Sequence, residues 1–544
     1  MSAVRRVRSG SRGAVSNSSE RVALLVDMGV HGPCRRRFAD ALHVRELPVP
    51  VNTVGGPRGI GPELGRDWAE PVPDGQRPID LPRRLRQTVG GCKQAGRRRE
   101  PRPGPMAGDG AGMSDPFQLP ASRDEIRAIQ SRRKRAAFER AQRAGWYAGK
   151  LDGIDPDRLD DPEEWAKIPI LDKDILRQWS HREFMDRLCI VDNTDIAEYW
   201  RSGGSTGKPV FYPRTFADVD YGMLSWRRAW GVTETPPGEL AHICFPIGVH
   251  PAGQVWARGA HGAGVGVLWA GAGNAMPTRV QLDLIENIRP TVLVGMPSFA
   301  LHMANIADAE GIDLRESSIT RIITAAESLS DAKREKLGRD WGAEVYDVFG
   351  MSEAGLMGGE GHAHDGIHIW TDMYFIETVD EQTLEPLNDE RPGMLLVTPL
   401  VTGHATPFLR WNSGDIVSLH DGGATGHRYA ELFPMIRHAH RTAGFFKVRG
   451  INVNHTDFED FIFADPKVND FQVVLTTAES GLEDVLLRLE LKRGAEATEA
   501  VDALRFRIRQ AFELAVATEV LPNGELGKDF EKFMKAPRFV DRRV

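Results

Sequence analysis

The stretch "ITRIITAAESLSDAKREKLGRDWGAEVYDVFGMSEAG", Ile319 to Gly355, carries two β-branched runs on either side of a charged segment. A short β-branched run, a loop with Ser-Leu-Ser, a charged segment at helical spacing, a second β-branched run and a glycine-containing loop follow one another. That reads as strand, loop, helix, strand, loop. Just upstream, "LIENIRPTVLVGMPSFALHMANIADAEGI", Leu284 to Ile312, reads as helix end, buried strand, turn and helix. Alternating strands and helices predict an α/β sheet, and loops at strand ends are where such sheets take ligands.

A second stretch, "EYWRSGGSTGKPVFYPRT" from Glu198 to Thr215, places Ser202, Gly203, Gly204, Ser205, Thr206 and Gly207 before Lys208 and Pro209. Such backbone can aim several N–H groups and hydroxyls at a phosphate; the plain alternative is a tight hairpin. The P-loop pattern GxxxxGK[ST] is excluded. It needs a glycine where Ser202 stands and a hydroxyl where Pro209 stands. Pro209 also biases Lys208 toward extended backbone, and "VFYP" has strand composition, whereas a P-loop opens a helix.

A chain of 544 residues exceeds one hydrophobic core and predicts two or more globular units. A 41% apolar and 27% charged composition is that of an ordinary soluble chain, and no apolar run is long enough for a membrane span. The net charge of −7 offers no electrostatic footprint for nucleic acid. Cys34, Cys92, Cys189 and Cys244 form no CxxC pair, which fits a reducing cytoplasm rather than a disulfide framework or a cysteine-rich zinc site.

Residues 1–112 are rich in Arg, Gly and Pro and lack a sustained apolar period. They read as a disordered extension or a misassigned start, with the working protein beginning near Met113. From there "SRDEIRAIQSRRKRAAFERAQRAGWYAGKL" predicts a helix capped by Ser122. Toward the C-terminus, "NDFQVVLTT", "EDVLLRLELK" and "TEAVDALRFRIRQAFELAV" read as strand, strand, helix, the makings of a small α+β domain. His362, His364 and His368 have spacing that suits zinc, but without a nearby cysteine a solvated loop is the favoured reading.

Taken in order, these segments resemble the phenylacetate-CoA ligase family of AMP-forming acyl-CoA synthetases, within the adenylate-forming superfamily. The resemblance runs from about Ser122 to the C-terminus and is carried by "SGGSTGKP", "PTVLVGMPSFAL", "AAES", "FGMSE", "TPFLRWNSGDIVSL", "RTAGFFKVRGINVNHTDFED" and "KAPRFVDRR". It implies a large ATP- and acid-binding domain over 113–440 and a small, mobile C-terminal domain over 441–544 that carries a catalytic lysine. It further implies that Ser202 to Lys208, Ala326, Glu327, Ser328, Phe349, Gly350, Met351, Ser352, Asp415 and Arg441 bind ATP or AMP. Glu353 would hold Mg²⁺, Lys535 would act on the carboxylate and α-phosphate, and Gly444 would lie at the hinge. Gly248 and His250, within "CFPIGVHPAGQVW", would face the acyl group, with His250 orienting its carboxylate.

The residue chemistry is consistent with those roles. Bringing a carboxylate to ATP joins two anions, so cations and hydrogen-bond donors are needed where charge develops. Magnesium prefers carboxylate, phosphate and water oxygens, an ionised aspartate suits two ribose hydroxyls, and lysine supplies a compact charge. The implied reaction is acid plus ATP to acyl-AMP and pyrophosphate, then transfer to CoA. The expected acid is aromatic, and a homodimer is allowed. Three departures stand out: Phe349 replaces the usual Tyr, Ala443 and Gly444 replace a pair of aspartates, and Pro537 sits in the lysine segment. Two rival readings are transfer to a non-CoA acceptor or a cofactor adenylylation, and a pseudoenzyme that binds ATP or acyl-AMP without turnover.

Overall fold

The alternation read in Ile319–Gly355 is realised in a computed structural model that describes residues 117–202, 209–273, 275–422, 426–441, 445–449, 451–477, 483–531 and 536–543. These residues fall in one unit, Ala107–Val544. Residues 1–112, read above as an extension, lie outside them.

Helix α1 (Arg123–Ala141) begins at Ser122, whose side chain accepts from the Glu125 N–H as the sequence predicts. A hairpin of β1 (Ile196–Arg201) and β2 (Phe211–Thr215) leads into α2 (Phe216–Val232). Then come β3 (Leu240–Ile243), α3 (Ala252–Gly262), β4 (Gly266–Trp269), α4 (Thr278–Ile288), β5 (Val292–Gly295) and α5 (Pro297–Glu310). The Ile319–Gly355 stretch itself forms β6 (Arg321–Thr324), α6 (Asp331–Trp341) and β7 (Glu344–Met351). Strands β8 (Gly355–Gly359), β9 (Ile367–Ile369), β10 (Tyr374–Val379), β11 (Gly393–Pro399), β12 (Trp411–His420) and β13 (Met435–Arg441) complete an 11-stranded sheet ordered β10-β11-β12-β13-β9-β8-β7-β6-β5-β3-β4.

The β4-β3-β5-β6-β7 half is parallel. Its C-terminal strand ends therefore share one edge, which brings the 244–250, 325–330 and 352–354 loops together. All four residues of β5 are buried, as expected for a strand in the parallel part of a helix-covered sheet. From β7 onward the pairing is antiparallel.

A short hairpin, β14 (Phe445–Val448) and β15 (Ile451–Asn454), precedes α7 (His455–Phe463). Then β16 (Val468–Thr477), β17 (Glu483–Leu491), α8 (Ala497–Phe512), β18 (Ala517–Leu521) and β19 (Phe539–Asp541) build a four-stranded sheet ordered β18-β17-β16-β19. This is the α+β layout expected of the C-terminal region.

The start of the described chain is tied to the core. Arg228, fully buried, donates from Nε to the Phe117 carbonyl (2.9 Å) and from Nη2 to the Gln118 carbonyl (2.6 Å), while its Nη1 reaches Asp372 (2.8 Å). A chain beginning at Met113 is expected to keep its melting temperature and activity, because these contacts survive. One beginning at Ala121 strips the buried guanidinium of two acceptors and is expected to lose about 1–3 kcal/mol per unsatisfied group. Thermal unfolding of the two truncations checks this; loss of stability in the Met113 chain would assign 1–112 to the fold.

Candidate active site

Glu353 sits in the loop that follows β7 and is only 3% exposed. Its Oε1 accepts the Tyr212 hydroxyl at 2.7 Å and lies 3.3 Å from the Lys173 Nζ. Burial and the adjacent carboxylate push the Tyr212 phenol well above its usual range, so it stays a donor. From the same strand, Arg214 donates Nη2 to the carbonyls of Ser352 (2.5 Å) and Glu353 (2.7 Å) and lies over the Trp200 ring at 4.5 Å. Its Nε and Nη1 are buried and have no hydrogen-bond partner among the described residues. The β1–β2 hairpin is thus clamped to the Glu353 loop by the strand that follows the glycine-rich segment.

That segment joins two antiparallel strands, as the argument against a P-loop requires. Ser202, 4% exposed, closes its neck: the Val210 N–H donates to Ser202 Oγ (3.1 Å), and the Ser202 N–H donates to the Val210 carbonyl (3.0 Å). Gly203, Gly204, Ser205, Thr206, Gly207 and Lys208 lie outside the described residues. So do Gly444 and Lys535.

Two further predicted segments lie at the ends of β6 and β7. Strands β6 and β7 are parallel neighbours with Thr324 opposite Asp347, so the Ala326–Ser328 and Phe349–Ser352 segments are adjacent. Ala326 has φ +70°, a left-handed conformation that costs an alanine about 1 kcal/mol or more and that no sequence pattern signalled. Glu327 Oε2 accepts from the Ser298 N–H at the start of α5 (3.2 Å). At Gly350 a Cβ would meet the Gly355 carbonyl oxygen at 2.5 Å, so only glycine fits the close crossing of β7 and β8. Phe349 packs edge-on against His438 of β13, ring centroids 5.1 Å apart.

Asp415, 4% exposed on β12, stands directly opposite Arg441, the last residue of β13. Arg441, expected to open the C-terminal region, ends the large sheet, because its strand pairs with β12 and β9. The loop leading to this segment is fixed by Asp218, fully buried at the start of α2. Its carboxylate accepts from the Gly403 N–H (2.8 Å), the His404 N–H (2.9 Å) and His404 Nδ1 (2.9 Å). Burial alone would raise the Asp218 pKa, but His404 and Arg214 hold it below the usual carboxylate range.

The 244–250 loop follows β3 and is joined to the hairpin by the Arg201 N–H donating to the Val249 carbonyl (3.0 Å). Gly248 is exposed, and a Cβ there would meet nothing within 4 Å, so that position leaves room beside His250. His250 immediately precedes Pro251, the N-cap of α3.

The solvated loop expected at His362, His364 and His368 holds only in part. His362 is exposed as a solvated loop requires, but His368 lies on β9 and is 1% exposed because β9 pairs with β8 and β13. His427 from a distant segment joins them, with ring centroids 5.8 Å from His362 and 6.5 Å from His368. Among the described residues, no group of three or more His, Cys, Asp or Glu side chains is placed to hold a metal ion.

Sequence reasoning missed Lys173, Tyr212, Arg214 and Asp218. An arginine inside a strand otherwise made for burial, "FYPRT", was the available signal.

The AMP-binding enzyme family matches residues 151–399. Phenylacetate-coenzyme A ligase of Thermus thermophilus is 29% identical over 376 residues, 68% of this chain and 82% of that protein. The Escherichia coli protein of the same name is 26% identical over 423 residues, 75% of this chain and 92% of its own. A solved 2-hydroxyisobutyryl-CoA ligase in the postadenylation state superposes with a TM-score of 0.67 at 20% identity, covering 79% of this chain and 94% of that one. In its thioesterification state, with 2-HIB-AMP and CoA, the TM-score is 0.55 at 21% identity, covering 78% and 91%. Residues 151–399 thus carry the AMP-binding enzyme match, and the chain is similar over most of its length to phenylacetate-CoA ligases.

Proposed function

We propose that the protein is an AMP-forming acid–CoA ligase acting on an aromatic carboxylic acid. The observation that carries this reading is the convergence on Glu353. A buried carboxylate, held by Tyr212 and flanked by Lys173, lies where the glycine-rich hairpin meets the parallel-strand ends, in a chain related to phenylacetate-CoA ligases.

In the first half-reaction a carboxylate oxygen of the acid attacks the α-phosphorus of ATP, and pyrophosphate leaves. Ser202 to Lys208 and Arg441 donate to the phosphates, Asp415 accepts from the ribose hydroxyls, and Ala326–Ser328 with Phe349–Ser352 line the base. Lys535 bridges the carboxylate and α-phosphate; Gly248 and His250 border the acyl group. In the second half-reaction the CoA sulfur attacks the acyl carbonyl, AMP leaves, and the thiol proton passes to solvent. The C-terminal region, from about residue 441, turns between the two steps with Gly444 at the hinge.

The donor set suits magnesium: one protein carboxylate is what an ion held mainly by phosphate and water oxygens requires. Glu353 would hold it, and the ion would supply charge neutralisation of the leaving pyrophosphate. Lys173 already meets that carboxylate, so it competes with the ion or shares the phosphates with it. No helix among the described residues is long and apolar enough to cross a membrane, and we place the enzyme in the cytoplasm.

Pyrophosphate release measured across a panel of aryl and alkyl carboxylic acids, with and without CoA, followed by mass analysis of the product, tests the proposal. An aryl acid is expected to give pyrophosphate and an aryl-CoA thioester. Acyl-AMP without a thioester points to another acceptor, and nucleotide binding without pyrophosphate release from any acid points to a pseudoenzyme.

A further inference from the structure

Between the large sheet's helices and the C-terminal sheet runs a chain of charges that the reaction described above does not use. Lys333, in the first turn of α6, is 5% exposed. Its Nζ donates to the Ser328 carbonyl of the nucleotide loop (3.1 Å) and pairs with Glu459 Oε2 of α7 (2.8 Å). Glu459 Oε1 in turn lies 3.2 Å from Arg538 Nη1. Arg538 is fixed by Asp470 on β16, with Nε to Oδ1 at 3.1 Å, and lies over Phe463 at 5.0 Å. In sequence it stands three positions after Lys535. One carboxylate, Glu459, therefore bridges a cation of the nucleotide-binding domain and a cation of the lysine-bearing segment.

We propose that Lys333 and Glu459 form an ionic latch that holds the C-terminal domain in its adenylating orientation, with Arg538 positioning the lysine segment through Glu459. The latch rests on the reading of the C-terminal region as a mobile domain that presents Lys535 in the first half-reaction.

Its composition suits a contact that must reopen. A buried ion pair roughly breaks even against its own desolvation, so two partners that separate into water lose little. A dry apolar interface of the same size would resist parting. Further polar contacts accompany the latch. Asp308 of α5 accepts from Asn469 Nδ2 (3.0 Å) and from the Arg493 N–H (3.0 Å). Asp340 of α6 pairs with Lys492 (3.0 Å). An aromatic contact, His302 stacked on Phe530 at 5.2 Å, gives the interface an apolar centre. The Lys333–Glu459–Arg538 chain reaches from the nucleotide loop to the lysine segment, which makes Lys333 and Glu459 positioning residues for the first step alone.

The test separates the half-reactions in the full-length enzyme. Lys333→Ala and Glu459→Gln are each expected to slow pyrophosphate release by about tenfold or more. Conversion of chemically supplied acyl-AMP and CoA to thioester should remain at wild-type rate or rise. Lys333→Arg, which keeps the charge, should restore adenylation. Resonance energy transfer between dyes attached at the exposed positions Glu286 of α4 and Arg505 of α8 reads domain docking without substrate. Both variants should shift it from the wild-type value, and Lys333→Arg should not. Equal losses in both half-reactions, or unchanged energy transfer in both variants, overturn the latch. A wild-type enzyme that adenylates no acid overturns the proposed reaction instead, and the dye measurement still decides the latch.

Discussion

Glu353→Gln is expected to leave the fold intact and to cut pyrophosphate release by about two orders of magnitude. The size follows from the role: one metal-held charge facing a developing pyrophosphate supplies on the order of 3 kcal/mol of transition-state stabilisation, and each 1.36 kcal/mol is about tenfold in rate. The stability cost is small by comparison. Glutamine keeps an oxygen to accept the Tyr212 hydroxyl, and the orphaned partner, Lys173, has a side chain 42% exposed and able to solvate its charge. A half-exposed ion pair contributes about 1 kcal/mol at most. Lys173→Met is the control, because it removes the same ion pair while leaving the carboxylate. If both variants lose activity equally, and neither loss depends on magnesium concentration, then the ion pair rather than a metal site is what matters. A Glu353→Gln enzyme within a few-fold of wild type removes Glu353 from the magnesium site altogether. Thermal unfolding of both variants, expected to shift little, shows that activity is being read rather than stability.

Tyr212 shows why part of this site was legible in the sequence and part was not. The segment "SGGSTGKP" is legible as a loop because its demands are local, whereas "AAES" and "FGMSE" stand out only through the family resemblance. Glycines, hydroxyls and a proline set backbone conformation within a few residues, and Pro209 correctly announced that a strand rather than a helix follows. The cap at Ser122 and the strand, strand, helix order after β15 were legible for the same reason. Tyr212 reaches Glu353 across 141 positions of chain, and the Lys173 and Arg214 contacts are equally non-local. Nothing in spacing encodes a meeting that depends on how a hairpin docks against a sheet edge. The same holds for Asp415 and Arg441, which face each other only because β12 and β13 pair in that register. His368 was misjudged in the other direction: its loop-like neighbours suggested solvent, and the pairing of β9 with β8 and β13 buried it. Local rules name candidates, while sheet order decides which of them share a space.

The largest effect is expected at Lys535, where alanine should abolish acyl-AMP formation yet leave thioester formation from supplied acyl-AMP intact. Charge and timing set the size of the effect. The carboxylate oxygen and the α-phosphate repel until a cation stands between them, and a desolvated donor at that point contributes several kcal/mol of stabilisation, so its loss exceeds the Glu353 effect. In the second step the attacking group is a thiol and the electrophile an acyl carbonyl, and a lysine carried away by the proposed domain rotation would have nothing to do. Gly444→Pro should give the opposite profile. Glycine there can absorb a rotation of φ and ψ without a hinge aspartate, whereas proline fixes φ near −65° and removes an N–H. The adenylating orientation should therefore survive and the turn toward CoA should slow. Measuring both half-reactions for both variants decides the matter. Failure of Lys535→Ala to convert supplied acyl-AMP would mean that the lysine serves both steps. Equal losses in both steps for Gly444→Pro would move the hinge elsewhere in the chain.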